Sequence, residues 1–391
     1  MPVGDIIKLR LESIAKGGEA AGRFEGKTVF TGGGAPFETV ICKITEDRKT
    51  WLKTELLEIT EPSPLRTEAA CAFYGKCGGC NLQHIHYSAQ LDAKVSILKE
   101  SFLRIGAVND SHSFNLPELK TFPSAPWEYR NRMQFHCVRQ KTKDRNYAFG
   151  FKGKKSGEII AINDCPIASP EIRKALNCGS FSVPPEKDRF TVFAKDGIFL
   201  NEGGIERGKI KLLDKEIIAD TGIFFQSNCF MLEKLIFELR EIAMETDRSL
   251  PMADLYCGAG TFAFFLADLF PSAILAEENK TAVSIARENL KNSKTELFAL
   301  RDTEWQRVLL QKKAAYGFAL VDPPRAGLSS GLAQALSKNG PEVLAYVSCD
   351  AASLARDSKV LIDGGYILNK LMLFDFYPQT AHIESLAVFY K

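Results

Sequence analysis

The first sixty residues alternate short apolar and polar positions, with frequent glycines between the runs. Strands are predicted in IIKLRLESIA, around the glycine turns of KGGEAAGRFEGKTVFTGGG, and in TVICKITEDRKTWLKTELLEIT. A period of two is typical of strands with one buried face, and closely spaced turns favour a small closed sheet. We therefore predict a β-barrel over residues 1–60, followed by the proline-containing linker EPSPLR.

The pattern changes twice after the linker. SAQLDAKVSILKESFLRIG has apolar residues at helical spacing and predicts a helix, whereas 121–215 is predicted to be β-rich and irregular. From about residue 216, helical and strand patterns alternate. Strands are predicted in MADLY, AILAEE, FALVDPP, LAYVSCD and SLAVFY. This order predicts a parallel, doubly wound, Rossmann-like sheet with ligands at the carboxyl ends of its strands.

The fold class is thus a multi-domain α/β protein, divided into residues 1–60, 61–215 and 216–391. The composition of this 391-residue chain, 45% hydrophobic and 25% charged, is that of an ordinary globular protein with two or three domains. Its longest apolar run, TFAFFLADLF, is too short to cross a bilayer, and its first residues lack a signal-peptide pattern. We expect a cytoplasmic monomer without a membrane partner.

Three cysteines lie close together in CAFYGKCGGC: Cys71, Cys77 and Cys80. Disulfides rarely persist in the cytoplasm, so metal binding or burial is favoured for this group. Zinc sites more often pair cysteines at two-residue spacing twice, and a second such pair does not occur here. Zinc, an iron–sulfur cluster and simple packing remain open from the residues alone.

The segment WEYRNRMQFHCVRQKTKDRNYAFGFKGKK (127–155) interleaves basic and aromatic residues. It has nine Lys or Arg residues against two acids, with six aromatic residues among them. Basic side chains neutralise phosphates and aromatic rings stack on bases, so the segment is a candidate nucleic-acid surface. The alternative is a solvated strand pair whose aromatic rings point inward.

DLYCGAGTFAF (254–264) predicts a strand, a glycine turn and the start of a helix. The turn also matches the dinucleotide fingerprint G-x-G-x-x-A, so alone it does not identify a cofactor. Glu277 would end the next strand, where a carboxylate can hold ribose hydroxyls, and Asp302 would lie near an adenine edge. An acidic site without phosphate ligands suits S-adenosyl-L-methionine, whose sulfonium is positive. A turn with surface acids is the alternative.

A candidate nucleophile, Cys349, lies at the end of the predicted strand LAYVSCD, with Glu384 in FYPQTAHIES as its candidate partner. Such a pair makes chemical sense for methylation of a pyrimidine ring. Uracil C5 is a poor nucleophile towards a methyl group until a thiolate adds at C6, and a base must then remove the C5 proton. A thiol and a carboxylate are the minimum set for this chemistry. A buried packing cysteine and an exposed loop glutamate are the alternatives.

Together these residues resemble the TRAM-domain, iron–sulfur RNA uracil-C5 methyltransferases, which make 5-methyluridine in ribosomal or transfer RNA. The resemblance covers essentially the whole chain. It is carried by the segments CAFYGKCGGC, YRNRMQF, FFQSN, DLYCGAGTF, DPPRAGL, VSCDAASLARD and FYPQTAHIES. One departure is Asp350, where the family pattern has asparagine.

The resemblance implies a role for each of twelve residues. It makes Cys349 the nucleophile and Glu384 the base. It implies S-adenosyl-L-methionine contacts at Gln226, Tyr256, Thr261, Glu277, Asp302 and Asp322. It implies a [4Fe–4S] cluster on Cys71, Cys77, Cys80 and Cys165. Residues 1–60 would be a TRAM module, an OB-like RNA-binding barrel.

Structured RNA is therefore the expected partner, and the accessory barrel favours ribosomal over transfer RNA. Two other classes of function stay open. One is an RNA-binding or chaperone protein that has lost catalysis. The other is a dehydrogenase that uses the G-x-G-x-x-A turn.

Overall fold

The computed structural model of the chain describes residues 2–105, 116–139, 147–154, 157–184, 186–306 and 316–391. Within these ranges, no helix has both the length and the apolar character needed to cross a bilayer.

The N-terminal strands close into a barrel, which confirms the barrel predicted from the alternating pattern. Its strands are β1 (Ile6–Ile14), β2 (Ala20–Phe24), β3 (Lys27–Thr31), β4 (Thr39–Asp47) and β5 (Trp51–Glu61). They neighbour one another in the order β1-β2-β3-β5-β4, and β4 pairs back to β1. On β1, Ile7, Leu9 and Leu11 are buried between exposed neighbours, as one-sided burial requires.

The middle of the chain contributes a second sheet and several separate elements. These are α1 (Tyr87–Ile105), β6 (Leu119–Phe122), β7 (Arg132–Arg139), β8 (Tyr147–Lys152), β9 (Ile159–Ala161), α2 (Pro170–Cys178), β10 (Arg189–Lys195), β11 (Ile198–Asn201), and a hairpin of β12 (Arg207–Leu212) and β13 (Lys215–Asp220). Five of these strands form an antiparallel sheet in the order β11-β10-β7-β8-β9.

Two aromatic rings of the basic and aromatic segment lie in the core of this sheet. Phe135 and Phe149 are buried, and both pack against Phe181. These rings face inward and cannot stack on bases. Four of the segment's basic residues lie outside the described residues: Lys141, Lys143, Arg145 and Lys155.

The C-terminal part is a layered α/β unit around an eight-stranded sheet. Its elements are α3 (Cys229–Met244), β14 (Met252–Leu255), α4 (Thr261–Leu266), β15 (Ala273–Glu277), α5 (Lys280–Asn289), β16 (Thr295–Ala299), β17 (Phe318–Val321), α6 (Ser330–Asn339), β18 (Val343–Ser348), α7 (Ala351–Asp363), β19 (Ile367–Phe374) and β20 (Glu384–Tyr390). The strand order is β16-β15-β14-β17-β18-β20-β19-β6.

The prediction of a wholly parallel sheet is wrong at one side. Strands β14 to β18 are parallel, but β20 runs antiparallel to both β18 and β19. The segment between β19 and β20, residues 375–383, is too short for the helical crossover that a parallel pair requires. The sheet is therefore mixed, and the direction of β20 shapes the site described below.

Two elements of the middle segment pack onto the C-terminal sheet. Strand β6 pairs with β19 at the sheet edge. Leu98 and Phe102 of α1 are fully buried in the same core as Tyr346 of β18. Both elements precede residue 215, yet β6 extends the C-terminal sheet and α1 packs on it. The division at residue 215 stays a prediction.

Candidate active site

A cavity of about 840 Å³ opens where β14, β15, β17 and β18 end. Carboxyl ends of parallel strands are the usual ligand side of such a sheet. Most of the predicted catalytic and cofactor residues lie on the cavity wall: Gln226, Tyr256, Glu277, Asp302, Asp322, Cys349 and Glu384. Thr261 begins α4 and is not on the wall, so its role stays a prediction.

The turn after β14 allows a ligand to approach the backbone closely. Gly258 and Gly260 have φ of +54° and +75°, which side-chain-bearing residues rarely adopt. A Cβ at Gly260 would lie 3.1 Å from the Cβ of Ala286, whereas one at Gly258 would meet no atom within 4 Å. Gly258 thus presents bare backbone to open space in the cavity.

Two carboxylates form hydrogen bonds with residues of this turn. Glu277 Oε2 accepts a hydrogen bond from the Gly258 amide at 3.1 Å, and its Oε1 accepts one from the Asn279 amide at 2.8 Å. Tyr256 donates its hydroxyl to Asp302 Oδ2 at 3.2 Å. The second and third strands of the α/β unit therefore deliver their terminal acids to one wall, as the sequence predicted.

Two buried acceptor oxygens near the turn have no hydrogen-bond partner among the described residues. They are Gln226 Oε1 and Asp254 Oδ1, while Asp254 Oδ2 accepts from the Ala263 amide at 3.1 Å. Burial, followed by the charges of Asp322 and Glu277, raises the pKa of Asp254 to about 8. An unpaired buried acceptor is unfavourable, so Gln226 Oε1, on a residue that lines the cavity, fits a ligand that donates a hydrogen bond.

The charges on the cavity wall are predominantly negative. Five carboxyl groups line it, on Glu277, Glu278, Asp302, Asp322 and Glu384. Arg130 and Arg325 are the guanidinium groups on the same wall. An excess of carboxylates without a basic cluster favours a cationic ligand over a phosphate-bearing one.

The antiparallel pairing of β18 and β20 brings Cys349 and Glu384 together. Ser348 and Ser385 form the last pair of the two strands, and Cys349 and Glu384 each lie one position beyond it. Both side chains line the same cavity, and burial together with the charge of Glu384 raises the pKa of Cys349, so the two groups are neighbours. A thiol and a carboxyl separated by 35 positions in sequence thus share one wall.

Both groups bind their protons tightly. Burial raises the pKa of Cys349 to about 12, with the charges of Glu384 and Asp322 acting in the same direction and Arg325 opposing. Burial and then the Asp322 charge raise the pKa of Glu384 well above its ordinary value. A positive charge entering the cavity would stabilise both deprotonated forms.

Helix α1 anchors the loop 375–383, which leads into Glu384. Lys94 Nζ donates to Asp375 Oδ1 at 2.6 Å and to the Tyr377 carbonyl at 2.9 Å. The Lys94 and Asp375 side chains are only 1% and 0% exposed. Sequence analysis predicted the helix but missed this role, because the partners lie 281 residues apart.

A second contact between the same elements uses paired amides. Gln90 Nε2 donates to Gln379 Oε1 at 3.0 Å, and the Gln379 amide donates to Gln90 Oε1 at 2.9 Å. Gln379 has φ +68°, a conformation that a non-glycine residue keeps only when its surroundings fix it. The loop before Glu384 is thus held in a defined shape.

Arg130 is another wall residue without a predicted role. Its guanidinium lies 5.8 Å from the ring centroid of Tyr377, which also lines the cavity. The motif YRNRMQF, one mark of the resemblance, contains this arginine, so its position in the motif was the available signal.

The cysteines of the predicted metal site are free thiols. Burial, together with the charges of Cys80 and Cys71, raises the pKa of Cys165 to about 12, so these thiols lie within electrostatic range. Across the described residues, however, no group of three or more Cys, His, Asp or Glu side chains is arranged to hold a metal ion. The predicted ligand set, which also includes Cys77, stays a prediction.

Comparisons with known proteins agree on one family. Residues 195–391 match the family model described as tRNA (uracil-5-)-methyltransferase. An uncharacterized RNA methyltransferase of Treponema denticola is 33% identical, over 94% of this chain and 94% of its own. A 23S rRNA (uracil(1939)-C(5))-methyltransferase of Pseudomonas entomophila is 29% identical, over 100% of this chain and 94% of its own.

A solved structure shares the whole architecture. The tRNA (uracil-54, C5)-methyltransferase of Pyrococcus abyssi, in complex with S-adenosyl-L-homocysteine, aligns with a TM-score of 0.72 over 98% of this chain and 100% of that one. At 22% identity the likeness establishes the fold, that of a methyltransferase with an N-terminal β-rich region.

Proposed function

The chain belongs to the tRNA (uracil-5-)-methyltransferase family of RNA uracil-C5 methyltransferases, and from that premise we propose how it works and on what. It methylates C5 of one uridine in structured RNA, with S-adenosyl-L-methionine as donor and Cys349 and Glu384 as catalytic residues. The observation that carries the proposal is the placement of this thiol and this carboxyl beside each other on the wall of one acidic cavity.

The residues that would hold the cofactor lie around the turn after β14. Glu277 would hold the ribose hydroxyls, Asp302 with Tyr256 would border the adenine, and Gln226 would accept from the ammonium group. The bare backbone at Gly258, the unpaired Gln226 oxygen and the negative wall support this placement. When bound, S-adenosyl-L-methionine supplies the methyl group that C5 accepts, together with a positive charge close to Asp322.

Cys349 activates the uracil ring. The thiol gives its proton to solvent water, and the sulfur electron pair forms a bond to C6 while the C5–C6 π pair moves towards C5 and O4. Arg325 favours this step because its charge lowers the pKa of Cys349. The uridine is turned out of its stack to reach the thiol, since C6 is inaccessible inside a helix.

Glu384 completes the reaction. Its carboxylate removes the C5 proton from the methylated adduct, the C5–C6 double bond re-forms, and the sulfur leaves as thiolate. The pairing of β18 and β20 supports this role, because it keeps base and nucleophile beside the same pair of ring carbons.

Ribosomal RNA is the proposed substrate, with transfer RNA as the alternative. Relatives that match across the whole chain are named for a 23S rRNA uridine, whereas the structural neighbour acts on a tRNA uridine. A barrel of the TRAM type would hold the strand around the target. The enzyme is proposed to act as a monomer in the cytoplasm, where the ten free cysteines fit a reducing environment.

Covalent trapping tests this function. RNA containing 5-fluorouridine, with labelled S-adenosyl-L-methionine, should yield a methylated protein–RNA adduct, because fluorine cannot leave C5 as a proton does. Cys349→Ala should abolish the adduct. Glu384→Gln should accumulate adduct on ordinary RNA, and unchanged turnover of this variant would exclude Glu384 as the base.

We also propose that Cys71, Cys77, Cys80 and Cys165 hold a [4Fe–4S] cluster with a structural role. The four cysteines are free, and Cys80 interacts electrostatically with Cys71, Cys77 and Cys165, which supports a set of neighbouring thiols able to ligate iron. Iron and sulfide analysis of anaerobically purified protein should give four of each per chain. Zinc without sulfide would contradict the cluster, and Cys165→Ser should lower the metal content.

A further inference from the structure

A second, smaller cavity of about 390 Å³ adjoins the first at Cys349. Four residues line both cavities: Arg325, Cys349, His382 and Ile383. The thiol therefore borders both cavities. The larger cavity is the acidic one, and the smaller cavity faces the barrel through Lys16 and Gly17.

Three distant parts of the chain lock this smaller cavity together. Asn81, next to Cys80, donates from Nδ2 to the Gly17 carbonyl at 2.8 Å and accepts from the Ala381 amide at 2.9 Å. A Cβ at Gly18 would lie 2.4 Å from Asn81 Nδ2, so the barrel loop fits against this side chain only as glycine. The smaller cavity therefore lies where the barrel, the loop that contains Cys80 and the loop 375–383 meet.

The charges of the smaller cavity differ from those of the larger one. Lys16 Nζ lies 2.5 Å from Asp350 Oδ2, with Lys16 56% exposed and Asp350 16% exposed. The other cation, Arg325, contacts His382 Nδ1 at 3.2 Å. Partial burial and the charges of Arg325 and Arg130 lower the pKa of His382 to about 4, so this ring is neutral near pH 7.

Asp350 uses its two carboxylate oxygens for different contacts, so the contact with Lys16 can be lost while the other remains. Its Oδ1 accepts hydrogen bonds from the Ala352 and Ser353 amides at 3.0 Å each, which caps α7. Only Oδ2 is used by Lys16. Lys16 is largely exposed and the helix cap uses the other oxygen, so an RNA phosphate can take the lysine without disturbing the helix.

We propose that the smaller cavity binds the RNA backbone beside the target uridine, with one phosphate between Lys16 and Arg325. This inference rests on the proposed function. The methyl donor is proposed to occupy the larger cavity, so the adjoining smaller cavity, lined by Lys16 and Arg325, is free to receive the RNA strand that carries the target base. Asp350 holds Lys16 in the free enzyme and yields it to the phosphate when RNA binds.

The test measures binding of a 23S rRNA transcript over a range of salt concentrations, for the full-length wild type and three variants. Lys16→Met should raise the Kd severalfold and reduce the slope of log Kd against log salt by about one, as loss of one phosphate contact does. Asp350→Asn should lower the Kd, because asparagine keeps the helix cap while the competing carboxylate is gone.

Lys53→Met is the matched control. Lys53 lies on the same barrel, is 49% exposed and pairs with Glu19 at 3.5 Å, but it does not line the cavity. Its Kd and slope should equal those of the wild type. All variants should bind S-adenosyl-L-homocysteine as the wild type does, which shows that they are folded.

Two results would overturn the inference. One is a salt slope for Lys16→Met equal to that of Lys53→Met. The other is weaker RNA binding by Asp350→Asn, which would make the ion pair a structural tie between the barrel and the start of α7. Because these readouts need no turnover, absence of 5-methyluridine in wild-type reactions would refute the proposed function separately.

Discussion

In the proposed mechanism, Cys349 and Glu384 must each give up a proton before either can act. The raised pKa values of both groups mean that the deprotonated fraction grows as the pH rises. Covalent adduct formation with 5-fluorouridine RNA should therefore become faster by about tenfold per pH unit while the Cys349 thiol stays mostly protonated. Single-turnover trapping between about pH 6 and pH 9 measures this dependence.

Arg325 provides the internal control for that pH profile. Its charge lowers the pKa of Cys349, so Arg325→Met should raise that pKa and move the rate profile to higher pH. Arg325→Lys retains the charge and should leave the profile close to that of the wild type. A profile independent of pH in the wild type would show that deprotonation of Cys349 does not limit the adduct.

At the scale of single residues, sequence reasoning placed the terminal acids of the strands but not the unpaired oxygens. Glu277 and Asp322 are the first acids after the apolar runs AILA and FALV. Carboxyl ends of parallel strands lie at the same edge of a sheet, so both acids were expected there. Whether Gln226 Oε1 or Asp254 Oδ1 finds a partner depends on surroundings from several elements. No local pattern records that, so these atoms emerge only from the structure.

Among the elements, the helices were the most predictable. SAQLDAKVSILKESFLRIG was predicted as one helix and α1 spans Tyr87–Ile105. Strand direction was harder, because an apolar run such as SLAVFY reads the same in a parallel or an antiparallel strand. The short connection before β20 was the signal for reversal, and this reversal sets Glu384 beside Cys349.

The buried pair of Lys94 and Asp375 should be essential for stability. Removing one partner leaves an uncompensated buried charge, so Lys94→Met should cost about 3–5 kcal/mol of unfolding free energy. Lys94→Met combined with Asp375→Leu should recover part of that loss. Chemical denaturation followed by circular dichroism measures both variants.

A surface pair supplies the contrast for this measurement. Lys359 and Asp363 lie 3.2 Å apart with side chains 51% and 61% exposed. Lys359→Met should change the unfolding free energy by at most about 1 kcal/mol. If Lys94→Met were equally mild, the clamp between α1 and the loop 375–383 would not be what fixes that loop.

For the molecule as a whole, the linear order of segments differs from the order of packing. The barrel core includes Leu82 and Ile85 from beyond the linker, and Ala381 from the loop 375–383. The sequence shows where the pattern of residues changes along the chain. It does not show which segments pack together in the folded protein. The boundaries at residues 60 and 215 therefore stay predictions that rest on the pattern along the sequence.

The shared core leads to a prediction about fragments. A fragment of residues 216–391 lacks α1 and β6, so it would expose the core that Leu98 and Phe102 cover and the edge of β19. We expect it to show no cooperative thermal unfolding, whereas residues 87–391, which retain both elements, should unfold cooperatively. Circular dichroism melts of the two fragments compare them directly. A cooperative transition for 216–391 at the temperature of the longer fragment would mean that α1 and β6 are accessory, and that the boundary at 215 separates independently folding units.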